Sequence, residues 1–275
     1  MSITSVDVPV PWLTTEQMVE VDRAMIEDLG IELIQMMENA GRGLAHLARV
    51  RFLDHDPINT RVAVLAGPGG NGGGALVCAR RLVGWGAKVE VVLSRPDEEF
   101  APVSGHQLAI LQKMDVTCSV AGDPDAPRSA GLVIDGLIGY SLRGAPRGAA
   151  ADLIRWANLQ GSPVLSLDVP SGVDAGSGDV CDPAVRAAAT LTLALPKTGL
   201  RSPDAEGCVG VRGVARRNGR QLDLHLRRVE RRRDDGFGRS DLLRRHLGDL
   251  DSPARLCLVA GEAGSSRLKS AACDW

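Results

Sequence analysis

The sequence predicts an α/β fold of three layers, αβα, with a mostly parallel sheet between helices. Three observations carry this. Short apolar runs of strand length alternate with longer runs of helical period along most of the 275 residues. One apolar run, Arg61-Val-Ala-Val-Leu-Ala66, leads straight into a glycine-rich loop and then a helical segment. Two further runs end on an aspartate, Asp135 and Asp168, where the carboxyl edge of such a sheet would lie.

Taken in order, residues 1–11 show no period and read as an arm. Thr14-Thr15-Glu16-Gln17 is a capping-box pattern, with Thr14 three residues before Gln17, and it opens a helix. Met18, Val21 and Met25, then Ile34, Met37, Ala40, Leu44 and Leu47, recur at helical spacing. Leu29-Gly30 divides them into two amphipathic helices. Strands are expected at 61–66, 88–93, 116–120, 132–135, 163–167 and 190–195, several of them continuous apolar runs of the buried parallel kind. Helices are expected at 76–85, 105–114 and 149–158, on both faces of the sheet. After about residue 208 arginines crowd in and the apolar period fades. The reading is one domain over 12–207 and an arginine-rich, solvated tail over 208–275.

Composition removes several function classes. A formal net charge of −2 gives no pull toward nucleic acid or a membrane surface. Aromatic content of 3% disfavours a base-stacking platform. No apolar run reaches the roughly 20 residues of a membrane span, and the N-terminus lacks a signal-peptide pattern, so the cytoplasm is the expected location. Cys78, Cys118, Cys181, Cys208, Cys257 and Cys273 form no Cys-x-x-Cys pair, which argues for reduced thiols and against a zinc site.

Ligands of an open α/β sheet bind outside the carboxyl ends of its strands, and three loops there carry unusual chemistry. In Gly67-Pro68-Gly69-Gly70-Asn71-Gly72-Gly73-Gly74, six of eight residues are glycine. They let the backbone approach a ligand, and the helix start behind them offers free N–H groups suited to phosphate. The loop is neither a Walker A loop nor a Gly-x-Gly-x-x-Gly fingerprint with its acid. The second loop is Asp135-Gly-Leu-Ile-Gly139-Tyr140-Ser141-Leu142-Arg143-Gly144. Asp135 ends an apolar run, so its carboxylate needs a cation, a helix N-terminus or a polar ligand. Arg143 reads equally as a solvated residue or a phosphate partner. The third loop is Asp168-Val-Pro170-Ser171-Gly172-Val-Asp174, again an acid closing a buried strand before a turn. No histidine sits in a comparable context, so a His-based triad is not expected.

Several motifs together resemble one known family. They are Thr15-Glu-Gln-Met18, Met37-Glu-Asn-Ala-Gly41, the glycine loop, Leu76-Val-Cys-Ala-Arg80, Asp135-Gly-Leu-Ile-Gly139, Leu167-Asp-Val-Pro-Ser-Gly-Val-Asp174 and Leu195-Pro-Lys-Thr-Gly199. In order and spacing over about residues 12–200 they resemble the YjeF N-terminal domain family, known for NAD(P)HX epimerases. The resemblance implies a three-layer Rossmann-like sandwich, often dimeric, that interconverts the R and S epimers of hydrated NADH and NADPH. It implies a bound potassium ion on Asn71, Asp135 and Ser171, all oxygen donors. It implies substrate contacts from Gly70, Asn71, Gly72, Gly73 and Gly74, from Gly139, Tyr140, Ser141, Leu142, Arg143, Gly144 and Ala145, and from Asp168. Asp168 is the candidate acid/base, since such chemistry needs a positioned carboxyl.

The chain departs from the family pattern at two acids. Gly74 and Ala188 stand where the family has Asp, and the acid lost at 74 is expected to have faced the substrate. That departure supports a second reading, a nucleotide-binding or scaffold module without turnover. A third, an ordinary NAD-dependent dehydrogenase, lacks an acid placed for the ribose about 20 residues beyond the loop.

Overall fold

The computed structural model describes residues 11–124, 129–218 and 221–227. The chain opens with α1 (Thr15–Arg23), which runs on through a π turn (Ala24–Asp28), and α2 (Leu33–Phe52). The capping box is formed: the Gln17 amide donates to Thr14 Oγ1 at 3.3 Å, and the Thr14 amide donates to Gln17 Oε1 at 2.9 Å. Gly30, at φ 68°, turns the chain between the two helices.

The sheet and its helices follow as β1 (Arg61–Ala66), α3 (Gly70–Gly84), β2 (Lys88–Leu93), α4 (Pro102–Lys113), β3 (Thr117–Val120), β4 (Leu132–Gly136), α5 (Gly148–Leu159), β5 (Val164–Leu167) and β6 (Ala189–Thr192). A short α6 (Glu206–Val209), β7 (Val211–Asn218) and β8 (Gln221–Arg227) complete the described chain. The strand order is β3-β2-β1-β4-β5-β6-β7-β8. All pairs are parallel except β7 with β8. Alternate strand residues feed two cores. Val62, Val64, Val91, Ile134 and Leu165 pack with Leu44, Leu47, Leu76, Leu82, Leu108 and Leu111 of α2, α3 and α4. Leu65, Val92, Val133 and Val164 pack with Leu153, Ile154 and Ala157 of α5. The expected sandwich is therefore present, with helices on both faces.

Three boundaries differ from the sequence reading, each for a physical reason. α3 starts at Gly70 rather than near residue 76, because the second half of the glycine loop winds into its first turn. β6 ends at Thr192 rather than 195: Ala194 takes φ 55°, and the chain leaves the sheet. The sheet also runs past the boundary expected at 207. β7 and β8 add to it at the β6 edge, and in the sequence Leu222, Leu224 and Leu226 alternate with polar residues at strand period. The rest of the arginine-rich stretch lies outside the described residues.

Candidate active site

Strand order reverses between β1 and β4, and in such sheets ligands bind at the carboxyl edge beside that reversal. The glycine loop follows β1, Asp135 lies on β4, Asp168 follows β5, and the segment after β6 closes the far side.

Asp135 is fully buried. Its Oδ1 accepts from Ser171 Oγ at 2.6 Å and from the Leu137 amide at 3.2 Å. Its Oδ2 accepts from Ser166 Oγ at 2.7 Å and from the Ser171 amide at 3.0 Å. Burial pushes the carboxyl above the usual aspartate range, and these four donors pull against it. The compensation that the sequence demanded is thus supplied by neutral donors of the chain itself. The Ser171 hydroxyl also accepts from the Ile138 amide at 2.9 Å, which ties the second loop to the third.

Asp168 is also buried, at φ 69°, a left-handed backbone that few non-glycine residues adopt. Its Oδ1 pairs with Lys197 Nζ and accepts from the Leu193 amide at 3.3 Å. Its Oδ2 accepts from the Tyr140 amide at 3.2 Å. Lys197 has no exposed surface; its ammonium also donates to the Leu193 carbonyl at 2.8 Å and lies 3.5 Å from Thr192 Oγ1. Gly139 sits between Asn71 and Asp168: a Cβ there would lie 3.2 Å from both Asn71 Oδ1 and Asp168 Oδ2. Any side chain at 139 would fill the gap between these two polar groups. Asn71 Nδ2 is buried with no hydrogen-bond partner among the described residues.

The predicted contact residues divide sharply. Gly70 is exposed, with space around it, at the N-terminus of α3, and Asn71 is partly buried beside it. Gly72, Gly73 and Gly74 are buried in the α3 packing. Gly74 corrects an expectation: its Cβ direction points to Leu167 Cδ2, 2.8 Å away, and to Ala40. Position 74 faces the core, so an acid there would not face a substrate. Ala188 is exposed just before β6, and its amide donates to the carbonyl of Val164, the first residue of β5. That is the amino edge of the sheet, opposite the cleft. Along the second loop, Tyr140 and Leu142 are partly buried, while Ser141, Arg143, Gly144 and Ala145 are exposed.

Two residues of the cleft were not singled out from the sequence. Lys197 follows the sixth predicted strand, so the strand-end search that found Asp135 and Asp168 would have found it too. Asp22 lies on α1 and accepts from the Tyr140 hydroxyl at 2.6 Å. No sequence signal links residues so far apart. The main chain supports the arrangement: Leu13 bridges to Lys197, the Leu13 amide donates to the Pro196 carbonyl at 2.9 Å, and the Thr198 amide donates to the Leu13 carbonyl at 2.8 Å.

Fold and site together define a class: a doubly wound α/β protein with two buried acids at the carboxyl edge of its sheet, beside the topological switch point. The family follows from the comparisons. The model of the YjeF-related protein N-terminus family matches residues 33–199, and the chain belongs to that family. It is 47% identical over 205 residues to the NAD(P)H-hydrate epimerase of Dehalogenimonas lykanthroporepellens, covering 72% of this chain and 77% of that protein. It is 30% identical over 220 residues to the NAD(P)H-hydrate epimerase of Entamoeba histolytica, covering 78% and 91%. The bifunctional NAD(P)H-hydrate repair enzyme Nnr of Salinibacter ruber is 36% identical over 221 residues, and the match spans only 40% of its length. Among solved structures, yeast ynu0 shares the fold at a TM-score of 0.64 and 22% identity, over 75% of this chain and 88% of that one.

Proposed function

We propose that this protein is an NAD(P)HX epimerase, an isomerase that interconverts the R and S forms of hydrated NADH and NADPH. One observation carries the reading: Asp168 is held from one side by Lys197, while its other oxygen borders the gap beside Gly139 and Asn71. A fixed carboxylate with one oxygen toward the cleft is what proton transfer to and from a bound hydroxyl requires. In this mechanism Asp168 enters in its protonated form and passes that proton to the hydroxyl next to the ring nitrogen of the substrate, and the carboxylate left behind is held by Lys197. Water leaves, helped by the nitrogen lone pair, and a planar cation remains. Water adds to the other face, and the proton it sheds restores Asp168. The exposed start of α3 at Gly70 and Asn71 takes the phosphates, with Arg143 as a further phosphate partner.

The donor set fits a potassium ion. Asn71, Asp135 and Ser171 offer oxygen atoms, and the unpartnered amide atom of Asn71 is the feature such an ion explains, since a half-turn of the amide exchanges its nitrogen for oxygen. Bound there, the ion supplies positive charge beside a buried carboxylate.

The scaffold-module reading rested on the lost acid at position 74, and that position faces the core. Among the described residues no helix is long and apolar enough to cross a membrane. We propose the cytoplasm as its location and a homodimer as its assembly, the latter in keeping with a family that is often dimeric. The test is to add purified protein and potassium to S- or R-NADHX and follow equilibration of the epimers. Acceleration over the spontaneous rate supports the epimerase, and tight binding without acceleration overturns it. Sedimentation of the same sample reports the dimer.

A further inference from the structure

The N-terminal helix α1 precedes the segment 33–199 matched by the family, yet one of its side chains reaches the candidate active site. Asp22 accepts from the Tyr140 hydroxyl, and the Tyr140 amide donates to Asp168 Oδ2, the oxygen that borders the gap beside Gly139. Lys197 Nζ lies 6.0 Å from the centre of the Tyr140 ring while it pairs with Asp168. Tyr140 therefore bridges two carboxylates, one through its side chain and one through its backbone. The next residues of its loop, Ser141, Arg143, Gly144 and Ala145, are exposed, and Asp22 is a fixed anchor at the start of that loop.

A bland alternative is that Asp22 only satisfies a partly buried hydroxyl. Energetics argue against it. Burial pushes the Asp22 carboxyl up; the Tyr140 hydroxyl and the Lys197 charge pull against it, the Asp168 charge adds to the push, and the net direction is upward. A backbone carbonyl or a water would accept the same proton without placing a second carboxylate near the first. The costlier acceptor is explained when Tyr140 must be held in one place.

From this geometry we infer that Asp22 is a positioning residue of the epimerase site, acting through the Tyr140 hydroxyl to fix the loop whose amide orients Asp168. The inference rests on the epimerase reading.

The experiment measures kcat and KM for epimerisation of S-NADHX by wild type, Asp22→Ala, Asp22→Asn, Tyr140→Phe and the double variant Asp22→Ala/Tyr140→Phe. Small misplacement of a reacting group lowers turnover by up to about a hundredfold. Asp22→Ala and Tyr140→Phe are therefore expected to lower kcat by about tenfold or more, with a smaller change in KM. Because the bond is shared, the double variant falls no further than the worse single one. Asp22→Asn recovers most of the loss, since its amide oxygen still accepts from the tyrosine. Additive losses, or an Asp22→Asn variant as slow as Asp22→Ala, overturn the inference. If Asp22→Ala fails to fold by circular dichroism, Tyr140→Phe and Asp22→Asn decide the matter by kcat alone. A wild type that does not accelerate epimerisation overturns both readings. An active wild type with unaffected variants overturns only this one.

Discussion

Asp135 and Asp168 stand at the ends of β4 and β5, both buried, and they are stabilised in opposite ways. Asp135 is ringed by two hydroxyls and two amides, and all its donors are neutral. Asp168 has a buried ammonium and the Leu193 amide on one oxygen and a single amide, that of Tyr140, on the other. Four neutral donors hold a carboxylate in one orientation, as a group that is to face a bound cation requires. A single strong cation on one side secures the charge but leaves an oxygen with spare capacity. Under the proposed mechanism, one of two acids that look alike in sequence is a frame and the other the working group.

The hardest blow to that distinction falls on Asp168. Asp168→Asn is expected to lower epimerisation by about 10²–10⁴-fold, the usual contribution of a positioned acid/base. A variant that epimerises at the normal rate gives the role to another group. Lys197→Met leaves the Asp168 charge buried without its partner and is expected to cost about 3–5 kcal/mol, read by urea unfolding. The double variant Asp168→Asn/Lys197→Met recovers part of that loss, because no lone charge remains.

Restoring the family's acid by Gly74→Asp tests whether that position belongs to the site at all. It forces a carboxylate against Leu167 and is expected to destabilise by about 2 kcal/mol or more with no gain in kcat. A rise in kcat would return position 74 to the active site. A subtler effect concerns Asp135 and pH. Burial raises its pKa, so the folded chain holds this proton more tightly than the unfolded chain. Its contribution to stability is full below about pH 4, the unfolded aspartate value, and is lost as pH rises through the raised one. The stability of wild type minus that of Asp135→Asn should therefore fall with rising pH, by at most about 1.4 kcal/mol per unit. A flat difference would mean the four donors fully offset burial. The smallest effect is expected from Ala188→Asp, exposed at the opposite edge: within about 0.5 kcal/mol of wild type and with kcat unchanged.

Much of this architecture was legible from residues alone. Val62–Leu65 and Leu132–Ile134 read as strands because both faces of the sheet are covered and the runs are uninterrupted. The switch point was not legible, since local patterns do not record which strands become neighbours. Asp135 and Asp168 stood out as acids closing apolar runs. Lys197 stands just past the sixth predicted strand and was open to the same strand-end criterion; what the pattern did not carry is that the chain leaves the sheet at Thr192 and folds the lysine back to Asp168. Asp22 was invisible for a different reason: its partner is 118 residues away, and a lone aspartate on an amphipathic helix looks like any solvated residue. The glycine loop was over-read. Its richness suggested a ligand cradle throughout, but Cβ atoms on Gly72, Gly73 and Gly74 would meet Gly67, Met37 and Leu167; Gly69 and Gly70 are the exposed positions, and Asn71 borders the gap at Gly139.

The positive φ of Asp168 has a consequence for how this site tolerates change. Of the standard side chains, only asparagine, aspartate and glycine occupy that backbone region with ease. The main chain therefore acts as a sieve on chemistry. Glutamate, alanine or serine at 168 would meet a conformational penalty before their reactivity was ever expressed. Drift at this position is steered toward asparagine, which keeps the bend but forfeits the charge and strands the buried Lys197 ammonium, so an exchange there is tolerated best when the lysine changes with it.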